Sequence, residues 1–83
     1  MQPGDPRADP TVVDLIELAG LWVAAEDWSA LARTLQLLDA EFVRRFPQDG
    51  PLRQRFRELL ALVESQQPSA EQIRRTYRRA TVG

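Results

Sequence analysis

Eighty-three residues with a net charge of −1, no cysteine, no histidine and no lysine exclude disulfide staples, thiolate or imidazole metal sites, Ser-His-Asp and Cys-His catalysis, Glu-x-x-His di-iron chemistry and a P-loop lysine. The 43 % hydrophobic and 28 % charged content is that of a folded chain rather than a disordered one. A chain this short buries only somewhat more than ~60 % of its unfolded surface, so efficient helix packing or oligomerisation must supply its stability.

Residues 1–9 are rich in Pro, Gly and Asp and are expected to form a flexible leader. They show no basic region running into an apolar core, so no secretory signal is expected. Asp9-Pro10-Thr11 reads as a helix start, with Asp9 or Thr11 as cap and Pro10 in the first turn.

A first helix is expected over 10–25. Val12, Ile16, Ala19 and Val23 form one apolar stripe, and Leu15, Leu18, Trp22 and Ala25 form a second. A helix apolar nearly all round is buried on more than one side, which points to a homo-oligomer or a hetero-complex. The stretch 12–25 contains Asp14, Glu17 and Gly20 and is shorter than the ~20 apolar residues of a membrane span. No membrane association is expected, and the chain is expected to be cytoplasmic. Gly20 costs ~1 kcal/mol relative to Ala inside a helix, which implies close approach of another helix.

A second helix is expected over 28–46, capped by Asp27 or Ser29. Trp28, Leu31, Leu35, Leu38 and Phe42 recur at intervals of 3, 4, 3 and 4, as in a coiled-coil seam. Leu37 and Val43 widen that seam, and Glu41 precedes Arg44 and Arg45 in the favourable order. Trp22 and Trp28 flank the turn between the two helices. They either close its core or anchor a partner.

Residues 47–51, PQDGP, are the clearest loop. A third helix follows over 51–66, with Leu52, Phe56, Leu59, Leu60 and Val63 on one face and Arg53, Arg55, Arg57 and Glu58 largely off it. Ser69 with Gln72 three residues on is a capping-box signature for a short fourth helix over 69–80, with an apolar stripe of Ile73, Tyr77 and Ala80. Residues 81–83 are left as a tail. Residues 10–80 therefore form one all-α domain, expected as a three-helix bundle or a helical hairpin with the fourth helix folded against it.

Arg74, Arg75, Arg78 and Arg79 cover most of the rest of the fourth helix. With Tyr77 they could neutralise phosphates and stack a base, meet an acidic protein surface, or lie in solvent. The segment SAEQIRRTYRRA resembles the second helix of a J-domain, a capped basic helix with a central Tyr. The resemblance ends at residue 80. The His-Pro-Asp loop and the tyrosine-led first helix of that family are missing here, so its chaperone-stimulating activity is not implied.

Charge is segregated along the chain. Residues 1–41 hold eight acids and two bases, and residues 42–83 hold four acids and nine arginines, or −6 and +5. Such halves attract one another within a fold or across a dimer. The sequence pI of about 5.3 is low for a nucleic-acid-binding domain.

Asp14 with Glu17, and Glu26 with Asp27, are the remaining carboxylate pairs. Acid-base work needs a cleft that separates their pKa values, and a small helical domain offers little volume for one. The expectation is a non-enzyme with no catalytic residue, no metal and no cofactor. It would be a small adaptor, assembly or regulatory subunit that binds a protein partner, either another copy or a larger protein, through Val12, Ile16, Ala19, Trp22, Val23, Trp28 and Leu35. The alternative is a nucleic-acid-binding regulator that uses the arginine-rich helix.

Overall fold

Side-chain caps set three of the helix starts in a computed structural model of the chain, which describes residues 6–48 and 50–82. Four α-helices and no strand occur among the described residues: α1 Pro10–Ala25, α2 Trp28–Arg45, α3 Gly50–Val63 and α4 Ala70–Val82. The Asp9 carboxylate accepts from the Val12 N–H at 3.1 Å and opens α1. Asp27 accepts from the Ala30 N–H at 3.2 Å and opens α2. The Ser69 hydroxyl accepts from the Gln72 N–H at 3.3 Å ahead of α4. Each satisfies one amide that the helix itself leaves without a partner.

The ends are equally specific. α1 closes with Glu26 in the left-handed region, φ 55°. The Glu26 N–H donates to the Val23 carbonyl at 3.2 Å and the Asp27 N–H to the Trp22 carbonyl at 3.0 Å, the paired bonds of a Schellman closure. α2 stops at Arg45, with Phe46 as its cap. α3 stops at Val63 instead of 66, because the chain turns after Glu64. There the Ser65 hydroxyl and N–H both donate to the Leu62 carbonyl, at 2.7 and 3.2 Å. α4 runs beyond residue 80 through Thr81 and Val82, and the Thr81 hydroxyl donates to the Tyr77 carbonyl at 3.0 Å. With 13 residues against 14 in α3, it is nearly as long as its neighbour.

At the other end of the chain, residues 1–5 of the expected leader lie outside the described residues, as does Asp49 of the PQDGP loop. Pro6–Ala8 form one 3-10 turn with Pro6 buried.

The helices pack in chain order, α1 on α2, α2 on α3 and α3 on α4, and α4 also touches α1. One core runs through all four. It contains Val12, Ala19 and Val23 of α1, Leu31, Leu35, Leu38 and Phe42 of α2, Leu52, Phe56, Leu59 and Val63 of α3, and Ile73 and Ala80 of α4. Phe42 stacks on Phe56 with ring centroids 6.2 Å apart and meets Phe46 edge-on at 6.4 Å, the offset and edge geometries that aromatic quadrupoles favour. The body measures 43 × 21 × 19 Å. Its short dimensions are two helix diameters of about 10 Å, so any binding site must be a groove on its surface.

The segregated charges meet inside this one chain. Arg45 of α2 pairs with Asp9, Arg53 of α3 with Asp39 of α2 at 2.8 Å, and Arg74 of α4 with Glu26 at 3.4 Å. All three pairs join an acid of the first half to an arginine of the second. They are solvated to varying degrees and serve register more than net stability.

Candidate interaction surfaces

Most of the doubly apolar α1 is covered by the chain itself. Val12, Ala19 and Val23 lie in the core, as does Leu35 of α2, so these four are closed to a partner unless the fold opens. Ile16, Trp22 and Trp28 are partly buried against the same core. α2 covers one side of α1 and α4 the other, the role that the sequence had suggested for a second chain. Trp22 is committed inward, since its indole N–H donates to the Thr34 hydroxyl at 3.0 Å. That hydroxyl in turn donates to the Ala30 carbonyl at 2.9 Å, which satisfies the one buried polar residue among the described residues.

What α1 and α2 leave outside is a different set. Leu21 is 65 % exposed and Leu37 is 60 % exposed, and Leu18 and Val43 are also on the surface. Leu37 and Val43 therefore face outward instead of widening the α2 seam. Leu18, Trp22, Thr34 and Leu37 line a shallow groove of about 400 Å³ between α1 and α2, with Asp27 and Arg33 on its rim. Arg33 has no ion-pair partner among the described residues. Leu21 belongs to neither apolar stripe of α1, which is the sequence signal that could have marked it as an outward residue.

The arginine helix divides into two pairs. Arg74 meets Glu26 and Arg75 meets Glu71, the latter at 3.2 Å. Arg78 and Arg79 are exposed, and no acid among the described residues pairs with them. Tyr77 lies on the inner side of α4, where its hydroxyl donates to the Ile16 carbonyl at 2.8 Å. Burial, reinforced by the charge of Glu17, pushes that hydroxyl above its ordinary pKa, so it stays a neutral donor at ordinary pH.

A second groove, about 690 Å³, runs between α3 and α4. It is lined by Arg55, Glu58, Leu62, Gln72, Thr76 and Arg79. The Arg55 Nη1 is shielded from solvent and has no acceptor. Helical periodicity places Arg55 off the core face of α3, and that spacing does not reveal that one of its nitrogens is enclosed.

Near the α1 start, Asp9 carries a lowered pKa, held down by the Val12 N–H and then by Arg45. Glu41 is lowered by its hydrogen bonds from Arg45 and Arg44. These shifts arise from structural ion pairs. Among the described residues, no group of three or more acidic side chains is placed to hold a metal ion, and no helix is long and apolar enough to cross a membrane. Compared with protein-family models, with curated proteins and with solved structures, the chain matches none.

Proposed function

We propose that this chain is a small non-catalytic protein-interaction module, an adaptor, assembly or regulatory subunit that binds a second copy of itself or a larger protein. The observation that carries the reading is the leucine surface of α1 and α2. Leu37, 60 % exposed, lines the groove with Leu18 and Trp22, and Leu21, 65 % exposed, precedes Trp22 on α1. Burying one leucine side chain contributes about 1.5–3 kcal/mol. The groove carries both signs of charge on its rim, Asp27 and Arg33, an arrangement that two antiparallel copies could satisfy reciprocally.

The nucleic-acid alternative draws less support. Tyr77 is turned inward to Ile16 and is not free to stack a base, and two of the four arginines of α4 already face acids. A net charge of −1 adds no general attraction to phosphate.

Sedimentation velocity over a concentration series tests self-association, and proximity labelling in the native host tests a larger partner. Both compare the wild type with a Leu21→Asp/Leu37→Asp double variant. The reading predicts that the double variant loses either the dimer or a defined set of labelled proteins while keeping its helical spectrum. A chain that is monomeric at all concentrations, and whose labelling profile the double variant leaves unchanged, overturns it.

A further inference from the structure

The groove between α3 and α4 lies on different helices from the leucine surface and poses a separate chemical problem. The Arg55 Nη1 is enclosed by protein without an acceptor. A buried charged donor without a partner is costly, and each such group calls for an explanation. Arg79 reaches the same groove from α4, and Thr76 and Gln72 add a hydroxyl and an amide. Leu62 gives the floor an apolar portion.

We propose that this groove binds an acidic peptide, with one carboxylate side chain of the peptide seated between Arg55 and Arg79 and its apolar neighbours resting on Leu62. The guanidinium fork matches a carboxylate bidentately. Glu58 lines the same groove and decides the class of ligand. A single carboxylate gains from two arginines despite Glu58, whereas a polyanion such as a nucleic acid would bring further charges against it. The inference does not depend on the leucine surface, since it concerns other residues.

The test is fluorescence anisotropy of a labelled peptide of repeated Leu-Glu pairs titrated with the full chain, alongside a labelled single-stranded oligonucleotide and competition by inorganic phosphate. Saturable peptide binding is expected. Arg55→Met, which keeps the aliphatic stem, should weaken it at least tenfold. Arg79→Gln should weaken it severalfold, and Arg57→Gln, exposed and outside the groove, should leave it unchanged. Should Arg55→Met fail to fold, the Arg55 Nε–H resonance of the wild type must shift on peptide addition. The proposal is overturned by no saturable binding, by equal loss in Arg57→Gln, by a static Arg55 resonance, or by an oligonucleotide that binds more tightly than the peptide.

Discussion

Gly20 and Tyr77 share one space between α1 and α4. A Cβ placed on Gly20 would stand 2.6 Å from the Tyr77 hydroxyl oxygen and 3.1 Å from the ring carbon that carries it. That hydroxyl is held by its bond to the Ile16 carbonyl at 2.8 Å, so it cannot retreat without losing the bond. The glycine that weakens α1 as an isolated helix is thus the residue that lets α4 dock.

Gly20→Ala therefore sets two effects against each other. Helix propensity gains ~1 kcal/mol, while displacement of a packed ring costs ~1–3 kcal/mol and its hydrogen bond a further ~0.5–1.5 kcal/mol. The expected net result is destabilisation by about 1–2 kcal/mol in urea melts. Tyr77→Phe alone should cost about 1 kcal/mol. In the Tyr77→Phe background the closest obstacle is gone, and Gly20→Ala should be near neutral or stabilising. A coupling of about 1 kcal/mol or more in this double-mutant cycle is the expected signature. Strict additivity would show that the two side chains do not compete.

Tyr77 is the only tyrosine, so its titration can be followed directly by phenolate absorbance. Desolvation and then Glu17 raise its pKa in the fold. The native midpoint should lie above the ordinary tyrosine value of about 10, and the urea-unfolded chain should return to that value. Because the folded pKa is the higher one, the stabilising contribution of the neutral phenol is complete below the unfolded pKa and is lost as pH rises through the folded one. Glu17→Gln should lower the native midpoint. Identical midpoints in the native and unfolded chains would remove the buried hydroxyl from the account.

The acid limb has another origin. Asp9 and Glu41 both titrate lower in the fold than in the unfolded chain, and both face Arg45. As pH falls the unfolded chain takes up protons first, so their contribution is full above the ordinary carboxylate values of about 4 and disappears as pH drops through the folded ones. Asp9→Asn retains a capping oxygen but not the charge. It should lower the neutral-pH midpoint and flatten the loss of urea midpoint below about pH 4, so that variant and wild type converge in acid. If Asp9→Asn leaves the slope of the acid limb as steep as in the wild type, the Asp9–Arg45 pair contributes nothing to it.

Much of the fold was legible because α2 and α3 repeat their apolar residues with helical spacing, and because Asp9, Asp27 and Ser69 are strong caps. α1 was harder. The stripe of Val12, Ala19 and Val23 lies in the core while Leu18 and Ala25 of the second stripe are exposed, and nothing local distinguishes cover by α2 and α4 from cover by another chain. Val12, Ala19, Val23 and Leu35 were thus expected at an interface and lie in the core. Charge segregation foretold intrachain attraction as one of two options, but not that Asp9 would meet Arg45 across 36 positions. The enclosed Arg55 nitrogen depends on tertiary packing and has no counterpart in sequence spacing.

Leu37 and Leu38 are neighbours with opposite roles. Leu38 is fully buried and Leu37 is 60 % exposed, because successive helical residues are about 100° apart. Leu38→Ala leaves a cavity and should cost about 2–5 kcal/mol, a large share of the ~5–15 kcal/mol available to a small domain, and visible as a clear fall in urea midpoint. Leu37→Ala touches no core contact and should stay within about 0.5 kcal/mol. In association measurements the order reverses. Leu37→Ala should weaken binding, and Leu38→Ala should bind normally at temperatures where it remains folded. If Leu37→Ala leaves both stability and every association unchanged, the exposed leucine surface is not a binding surface, and the α3–α4 groove becomes the remaining candidate.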